Sequence, residues 1–420
     1  MQNLSDIFST YKIIWQSLYE FWWLILPLVL WYVFKYVWKD YVIEYSSRSW
    51  LNLLQWTVLE IIPPKDIEKS PKVMESIYAG IAGVVVSISV FDEWLKGAFT
   101  DQFSLEIVGD EGATHFYIRT QKKFRNLIEA QVYAQFPDAE ILEVPDYVNR
   151  FPKVIPNKDW DLWGTDVEFK MPDPYPIKTY DKFEEDITGT MIDPLAAMAE
   201  VIGKLGPGQH IWLQYIIQPQ KEIWRDDEMK LVDKLAKKAE KKEKNILEHI
   251  VEVIANLPKA LFGPIEFAAE EAKNEQPVEF KLTPGEKEVL KAVEENLGKN
   301  AFKTKMRLLV LGRKEGFDKA NISAFFGSLK QFSDLNLNNF KPNDASKTYA
   351  HYLMKKARLA ARQRKIYRRY KGRVMDGVKI ILTTKELATV FHFPNMEVKA
   401  PSVTMIRSKR GTAPANLPIG

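Results

Sequence analysis

Cysteine is absent from the 420 residues. That excludes a disulfide framework, a thiol nucleophile, a Cys-based zinc site and an iron–sulfur cluster. Histidine is scarce. The five, His115, His210, His249, His351 and His392, include no two that lie three to five residues apart, so no local metal-ligand pair exists. Phosphate-binding signatures are missing as well. Neither G-x-x-x-x-G-K-[ST] nor G-x-G-x-x-G occurs, and the loop-like stretch GKLGPG (203–208) lacks the Lys-Ser/Thr pair that would hold phosphate and magnesium. G-x-S-x-G and H-E-x-x-H are also absent. The acidic pairs Asp226-Asp227 and Glu184-Glu185 fall in charged segments and read as solvated surface. No catalytic set and no cofactor follows, so the expectation is a protein that is not an enzyme.

What the chain does have is aromatic and unevenly placed. Four of its 12 Trp residues (Trp15, Trp22, Trp23 and Trp31) lie in the first 31 positions. Phe21 to Phe34 (FWWLILPLVLWYVF) carries no charge, and Tyr36, Val37 and Trp38 extend it past Lys35. As a helix, residues 21–38 would run roughly 27 Å, close to a hydrocarbon core of about 30 Å. Lys35 sits near one end, where it can snorkel, and the aromatics at both ends suit interfacial belts. Pro27 is tolerated in such a helix. Lys12 is the only basic residue before the run, whereas Lys35, Lys39 and Arg48 close or follow it. The positive side is therefore C-terminal. The expectation is a single-pass anchor over 1–48 in the plasma (inner) membrane, N-terminus out and bulk cytoplasmic.

Beyond the anchor the pattern is α+β. An alternating stretch ends at Pro63-Pro64, and Ser70-Pro71 opens a helix with Met74, Ile77, Tyr78 and Ile81 on one face. FSLEIV (103–108) and THFYIR (114–119) read as strands around the turn Asp110-Glu111-Gly112. A helix over 122–135 and a strand over 139–144 follow. The order β-α-β-β-α-β predicts a ferredoxin-like domain over 49–147. A second, similar α+β module is expected over 148–342, interrupted by a long charged helical insertion over 220–280. Thr283-Pro284-Gly285-Glu286 there has the cap, first-turn Pro and third-position acid of a helix start. Residues 343–420 are expected to form a basic helix and an extended tail.

The basic helix is the sharpest feature. KKARLAARQRKIYRRYKGR holds Lys355, Lys356, Arg358, Arg362, Arg364, Lys365, Arg368, Arg369, Lys371 and Arg373, and no acid. The chain's net charge is +4, so subtracting these ten leaves the remainder at −6. Tyr349, Leu353, Leu359, Ala360, Ile366, Tyr367 and Tyr370 recur at helical spacing, and Gly372 is a natural stop. Such a helix suits three partners: phosphate on DNA, anionic lipid, or an acidic surface of its own or a neighbouring subunit.

Several stretches resemble a known family. LEIIPPKDIEKSPKVMESIYAGI (59–81), FSLEIV (103–108), FYIRTQKKFRNLIEAQVYAQFPDAEILEVPDY (116–147), KTYAHYLMKKARLAARQRKIYRRYKGR (347–373) and TTKELATVFHFP (383–394) together resemble the membrane-proximal, non-motor region of type IV secretion-like conjugative DNA-transfer (coupling-type) ATPases of Gram-positive and candidate-phyla bacteria. In those relatives a phrase like Pro414-Ala415-Asn416-Leu417-Pro418 leads into the motor. Here no Walker motif follows, so either the motor is a separate polypeptide or this paralogue has lost it. The resemblance implies a membrane-anchored component that tethers or recruits a hexameric ATPase alongside other secretion-channel subunits, with contact to DNA and self-association as further expectations. The alternative is a membrane-anchored nucleic-acid-binding adaptor acting without a motor. Within TTKELATVFHFP, residues Thr384, Glu386 and Leu387 read as a capped helix, and His392 as a packing residue rather than a ligand.

Overall fold

The computed structural model describes residues 23, 26–35, 38, 54–64, 67, 69–84, 100–183, 192–220, 223–236, 282–352 and 354–394. The chain divides into two compact units, Met1–Trp56 with Val85–Asp101, and Thr57–Val84 with Gln102–Gly420.

In the first unit, residues 26–35 are helical and their apolar side chains are exposed on all sides, Leu28, Trp31, Tyr32 and Phe34 among them. Among the described residues no helix is long and apolar enough to cross a membrane. The expected span 21–38 lies partly outside those residues, as do most of the expected anchor, residues 237–280 of the expected insertion and the tail beyond 394.

The second unit is built on one sheet of nine strands. In chain order its elements are β1 (Trp56–Ile62), α1 (Lys72–Ala82), β2 (Phe103–Asp110), β3 (Ala113–Gln121), α2 (Arg125–Gln135), β4 (Glu140–Val144), β5 (Trp160–Phe169), α3 (Ala196–Gly203), β6 (Gln209–Pro219), α4 (Ile223–Leu235), α5 (Pro284–Leu297), β7 (Ala301–Arg313), α6 (Ala320–Leu329), β8 (Phe340–Pro342), α7 (Lys355–Lys371), β9 (Ile380–Thr383) and α8 (Thr384–Val390). The strand order is β4-β1-β3-β2-β6-β7-β5-β8. The stretches expected as two modules, 49–147 and 148–342, thus share a single sheet. Each half has the order β-α-β-β-α-β, and α4 and α5 are inserted between the second and third strands of the second half. Counted outward from the seam, each half presents its second, third, first and fourth strand. The seam is the antiparallel β2–β6 ladder, from Phe103↔Ile217 to Asp110↔His210.

Local chemistry explains the element boundaries. The β2–β3 hairpin turns on Glu111 (φ 51°) and Gly112 (φ 92°), both left-handed, as a two-residue hairpin requires. Thr283 and Glu286 form a reciprocal capping box that starts α5, with Pro284 in the first turn. The same device starts α8, but the cap is Thr383 rather than Thr384, paired with Glu386. The C-terminal region expected as an extended tail contributes instead to the core. β9 pairs with Ala301–Thr304 of β7, on the edge that β5 leaves open by pairing only with Met306–Arg313. α8 then buries Leu387, Ala388 and Val390, and Phe391 and Phe393 follow them into the core.

Strand alternation splits the sheet into two chemistries. Phe103, Leu105, Ile107, Leu213, Tyr215, Ile217, Met306, Leu308 and Val310 face one way and pack with α1, α2, α3, α6 and α8 as the main core. On the other face Val108, Trp212, Leu309 and Leu311 alternate with charged and polar residues, and α7 covers them with Ile366, Tyr367 and Tyr370. α4 and α5 form a satellite cluster through Trp224, Val232, Val293 and Leu297.

Gly164 lies where β5 meets both β7 and α7. A Cβ at this position would sit 2.4 Å from Leu309 Cδ2, 3.1 Å from the Leu308 carbonyl oxygen and 3.3 Å from Ile366 Cδ1. Gly164→Ala should therefore overpack the contact and lower unfolding free energy by about 1–3 kcal/mol in chemical denaturation. A neutral or stabilising result would show that α7 does not press on β5.

Candidate interaction surface on the basic helix

α7 is rich in Ala, Arg and Lys, all strong helix formers. Its last carbonyls are satisfied by Gly372 N–H on Arg368 (3.0 Å), Arg373 N–H on Tyr370 (3.0 Å) and Val374 N–H on Arg369 (3.1 Å). Arg373 occupies the left-handed position just past the helix (φ 48°), where glycine is usual. That backbone turns its side chain under the helix and into the sheet.

The ten basic residues expected to act together are separated by the fold. Lys355, Lys356, Arg358, Arg364, Lys365 and Arg368 are exposed. Arg362, Arg369 and Lys371 are half-buried, and Arg373 is buried. Among the described residues, Lys355, Lys356, Arg364, Lys365 and Arg368 have no side-chain partner. Arg358 donates to the His351 carbonyl (3.0 Å), and Arg362 to those of Lys347 (3.2 Å) and Tyr349 (2.6 Å). Arg369 pairs with Asp376. On the packing face, Gln363 Nε2 donates to Asp161 Oδ1 (2.8 Å) and to the Leu162 carbonyl (2.6 Å) of β5. The Tyr367 hydroxyl donates to the Pro152 carbonyl (2.8 Å).

Arg373 is 1% exposed and Glu106, on β2, is 0% exposed. Arg373 donates Nε and NH2 to the two Glu106 oxygens (2.9 and 3.1 Å), and NH1 and NH2 to the two Asp146 oxygens (2.6 and 2.9 Å). Glu106 also accepts from Ser104 Oγ (2.6 Å), the Tyr147 hydroxyl (2.7 Å) and Gln214 Nε2 (2.9 Å). The Tyr147 and Tyr370 hydroxyls lie 2.7 Å apart. Burial alone would raise the Glu106 carboxyl, but the Arg373 charge and these hydrogen bonds overcome it and hold its pKa down at about 2. Burial works against the Arg373 charge, and Glu106, Tyr147 and Asp146 more than restore it.

A second ion cluster lies on the same sheet face. Asp166 on β5 takes Lys305 Nζ at 2.7 Å and Arg307 Nε at 2.8 Å, both from β7, and all three side chains are buried. Lys305 also donates to the Val378 carbonyl (2.6 Å), and Arg307 NH2 to that of Val374 (3.2 Å). These bonds hold the segment after α7 against the sheet. Burial lowers the Lys305 pKa, and Asp166 opposes it. Sequence reading missed these residues. The signal was a charged side chain in alternating register within an apolar strand, as Glu106 is in FSLEIV.

His392 lies 2% exposed with Nε2 3.0 Å from Oδ1 of Asp193, in the turn that precedes α3. Among the described residues no group of three or more His, Asp or Glu side chains could hold a metal ion. What the surface offers chemically is a row of fixed positive charges on a helix clamped to the sheet.

The chain belongs to the family described as Domain of unknown function (DUF8128), whose model matches residues 47–405. The match takes in the whole sheet and α7 and begins after the apolar run at 21–38. Comparison with curated proteins returns no match.

The Glu106 carboxyl has a lower pKa folded (about 2) than its ordinary value of 4.5. Its contribution, about 3 kcal/mol, is complete above pH 4.5 and is lost as pH falls through about 2. Arg373→Ala strands the Glu106 and Asp146 charges and should cost roughly 3–5 kcal/mol at pH 7. Because the variant keeps Glu106 buried without its cation, its stability should recover relative to wild type on acidification. Urea titrations from pH 3 to 7 check this, and a difference that does not change with pH would contradict the assigned network.

Proposed function

We propose that this family member is a non-catalytic, membrane-anchored adaptor that holds nucleic acid by its phosphates along the solvent face of α7. One observation carries the reading. The packing face and C-terminal end of α7 are saturated with internal bonds, while Lys355, Lys356, Arg364, Lys365 and Arg368 point to solvent with no protein partner among the described residues. At 100° per residue, Arg364, Lys365 and Arg368 fall within one 100° sector opposite Ile366 and Tyr370. Charges spent only on the fold would be paired, as those of Arg369 and Arg373 are. A rigid row of unpaired cations matches a polyphosphate backbone, which rewards each neutralised charge by releasing counterions.

The anchor in this reading is the run over 21–38, with the sheet and α7 on the cytoplasmic side. The exposed apolar side chains of residues 26–35 support it, since an all-round apolar helix suits lipid. The body in this reading is a pair of ferredoxin-like modules joined edge to edge. The resemblance to coupling-type transfer proteins supplies a setting in which the nucleic acid is cargo and a separate ATPase is the motor.

Detergent-solubilised full-length protein should bind a labelled 30-base-pair duplex without sequence preference. The log–log salt slope should be about 0.9 per phosphate neutralised. Arg364→Glu, Lys365→Glu and Arg368→Glu together should reduce that slope by about 2–3 and leave the melting temperature unchanged. An unchanged slope, or a lowered melting temperature, would argue that these residues serve the fold or a protein partner.

Deleting residues 1–40 should move the protein from the membrane pellet to the soluble fraction, because the sheet lies in the other compact unit. If the truncated chain still sediments with membranes after a high-salt wash, the anchor lies elsewhere.

A further inference from the structure

The segment that leads into α7 turns its backbone inward and its rings outward. Tyr352 is 91% exposed, Met354 71% and Tyr349 49%. Tyr352 (φ 60°) and Met354 (φ 54°) both hold left-handed backbone, which is uncommon for bulky side chains. Their neighbours are pinned, because Arg358 grips the His351 carbonyl and Arg362 those of Lys347 and Tyr349. His351 stands edge-on to Tyr349 with centroids 4.1 Å apart, and its ring lies 5.8 Å from that of Tyr352. Lys347 Nζ lies 6.0 Å from the Tyr349 ring centre. The three rings form a continuous exposed step beside Lys355 and Lys356. From Ala345 to Met375 the chain carries no acid and eleven Lys or Arg residues.

We propose that this step is a stacking platform for single-stranded nucleic acid, with bases on Tyr352, His351 and Tyr349 and the phosphates continuing onto Lys355, Lys356 and the outer face of α7. The proposal rests on the phosphate-binding reading of α7 and narrows its substrate. A duplex hides the faces of its bases, so exposed rings add nothing to its grip. A single strand offers a π-face at every nucleotide, and aromatic rings beside a basic track are how such strands are held without sequence preference.

The test uses full-length protein in detergent and three labelled probes of equal charge: a 30-nucleotide oligo-dT, an abasic strand of the same length, and a duplex matched in phosphate number. Oligo-dT should bind more tightly than the other two. Tyr352→Ala should weaken oligo-dT roughly 5- to 100-fold and leave abasic and duplex binding unchanged, while Tyr352→Trp should keep oligo-dT affinity. The salt slope should be the same in Tyr352→Ala and wild type, since no phosphate contact is lost. Equal binding of all three probes, with Tyr352→Ala neutral, overturns the platform but leaves the phosphate reading of α7 intact. Loss of affinity for all three probes in Tyr352→Ala also overturns it, showing that the residue shapes α7 rather than meeting a base. Failure of every probe to bind removes both. Tyr352→Ala is made at an exposed side chain, and an unchanged melting temperature confirms that the fold is intact.

Discussion

Arg373 leaves the last turn of α7 through a left-handed residue and places its guanidinium between Glu106 and Asp146, sealed from water by Tyr147, Tyr370 and Trp212. Neither charge could be there without the other. Removing a carboxylate or a guanidinium from water costs several kcal/mol, and the pair recovers that only through close, fully bonded geometry. Here Glu106 accepts from five donors and Arg373 meets two carboxylates with paired contacts. The geometry is satisfied in one position of α7 and in no shifted one. An apolar face alone would let a helix slide by a turn along the sheet. The buried ion pair sets its register, and that register determines which arginines face outward.

The outer surface of α7 is therefore a by-product of what is fixed beneath it. Arg369 and Arg373 are committed inward, Arg358 and Arg362 hold the preceding backbone, and the remaining cations are left to solvent. Lys305, Asp166 and Arg307 repeat the arrangement further along, tying the residues after the helix to β5 and β7. A sheet face that is half charged is unusual for a buried surface. It works because each of these charges meets an opposite one, Glu106 through Arg373 from the covering layer and Asp166 through Lys305 and Arg307 on the neighbouring strand.

Much of the scaffold was legible because its signals are local. Pro63-Pro64, Ser70-Pro71, the Asp110-Glu111-Gly112 turn and the Thr283/Glu286 capping box each act within a few residues. The β-α-β-β-α-β order of both halves followed from them. β8 and β9 were not legible. They are three and four residues long, and they are strands only because β5 and β7 offer an unpaired edge, which is a property of the assembled sheet. For the same reason Thr383, at the end of β9, caps α8 in place of Thr384. In the site, Arg368, Arg369 and Arg373 are indistinguishable by residue type. Gly372 marks a stop, but the residue after a stop is the one freed to turn inward, and its carboxylate partners lie far away in sequence. Glu106 carried the readable hint, an acid in alternating register within an apolar strand.

The course of α7 over the sheet has a mechanical meaning. Its midpoint is bonded through Gln363 to β5 in the second half, and the residue just past its C-terminal end, Arg373, to β2 in the first. Between them it crosses the β2–β6 seam, packing on Trp212 and Leu309. The seam is a ladder of eight residue pairs that by itself would open one hydrogen bond at a time under a peeling load. A helix fastened on both sides acts as a cross-brace. It forces the two halves to part together or not at all, so tension applied to the outer face of α7 is shared by both halves of the sheet instead of concentrating at the joint.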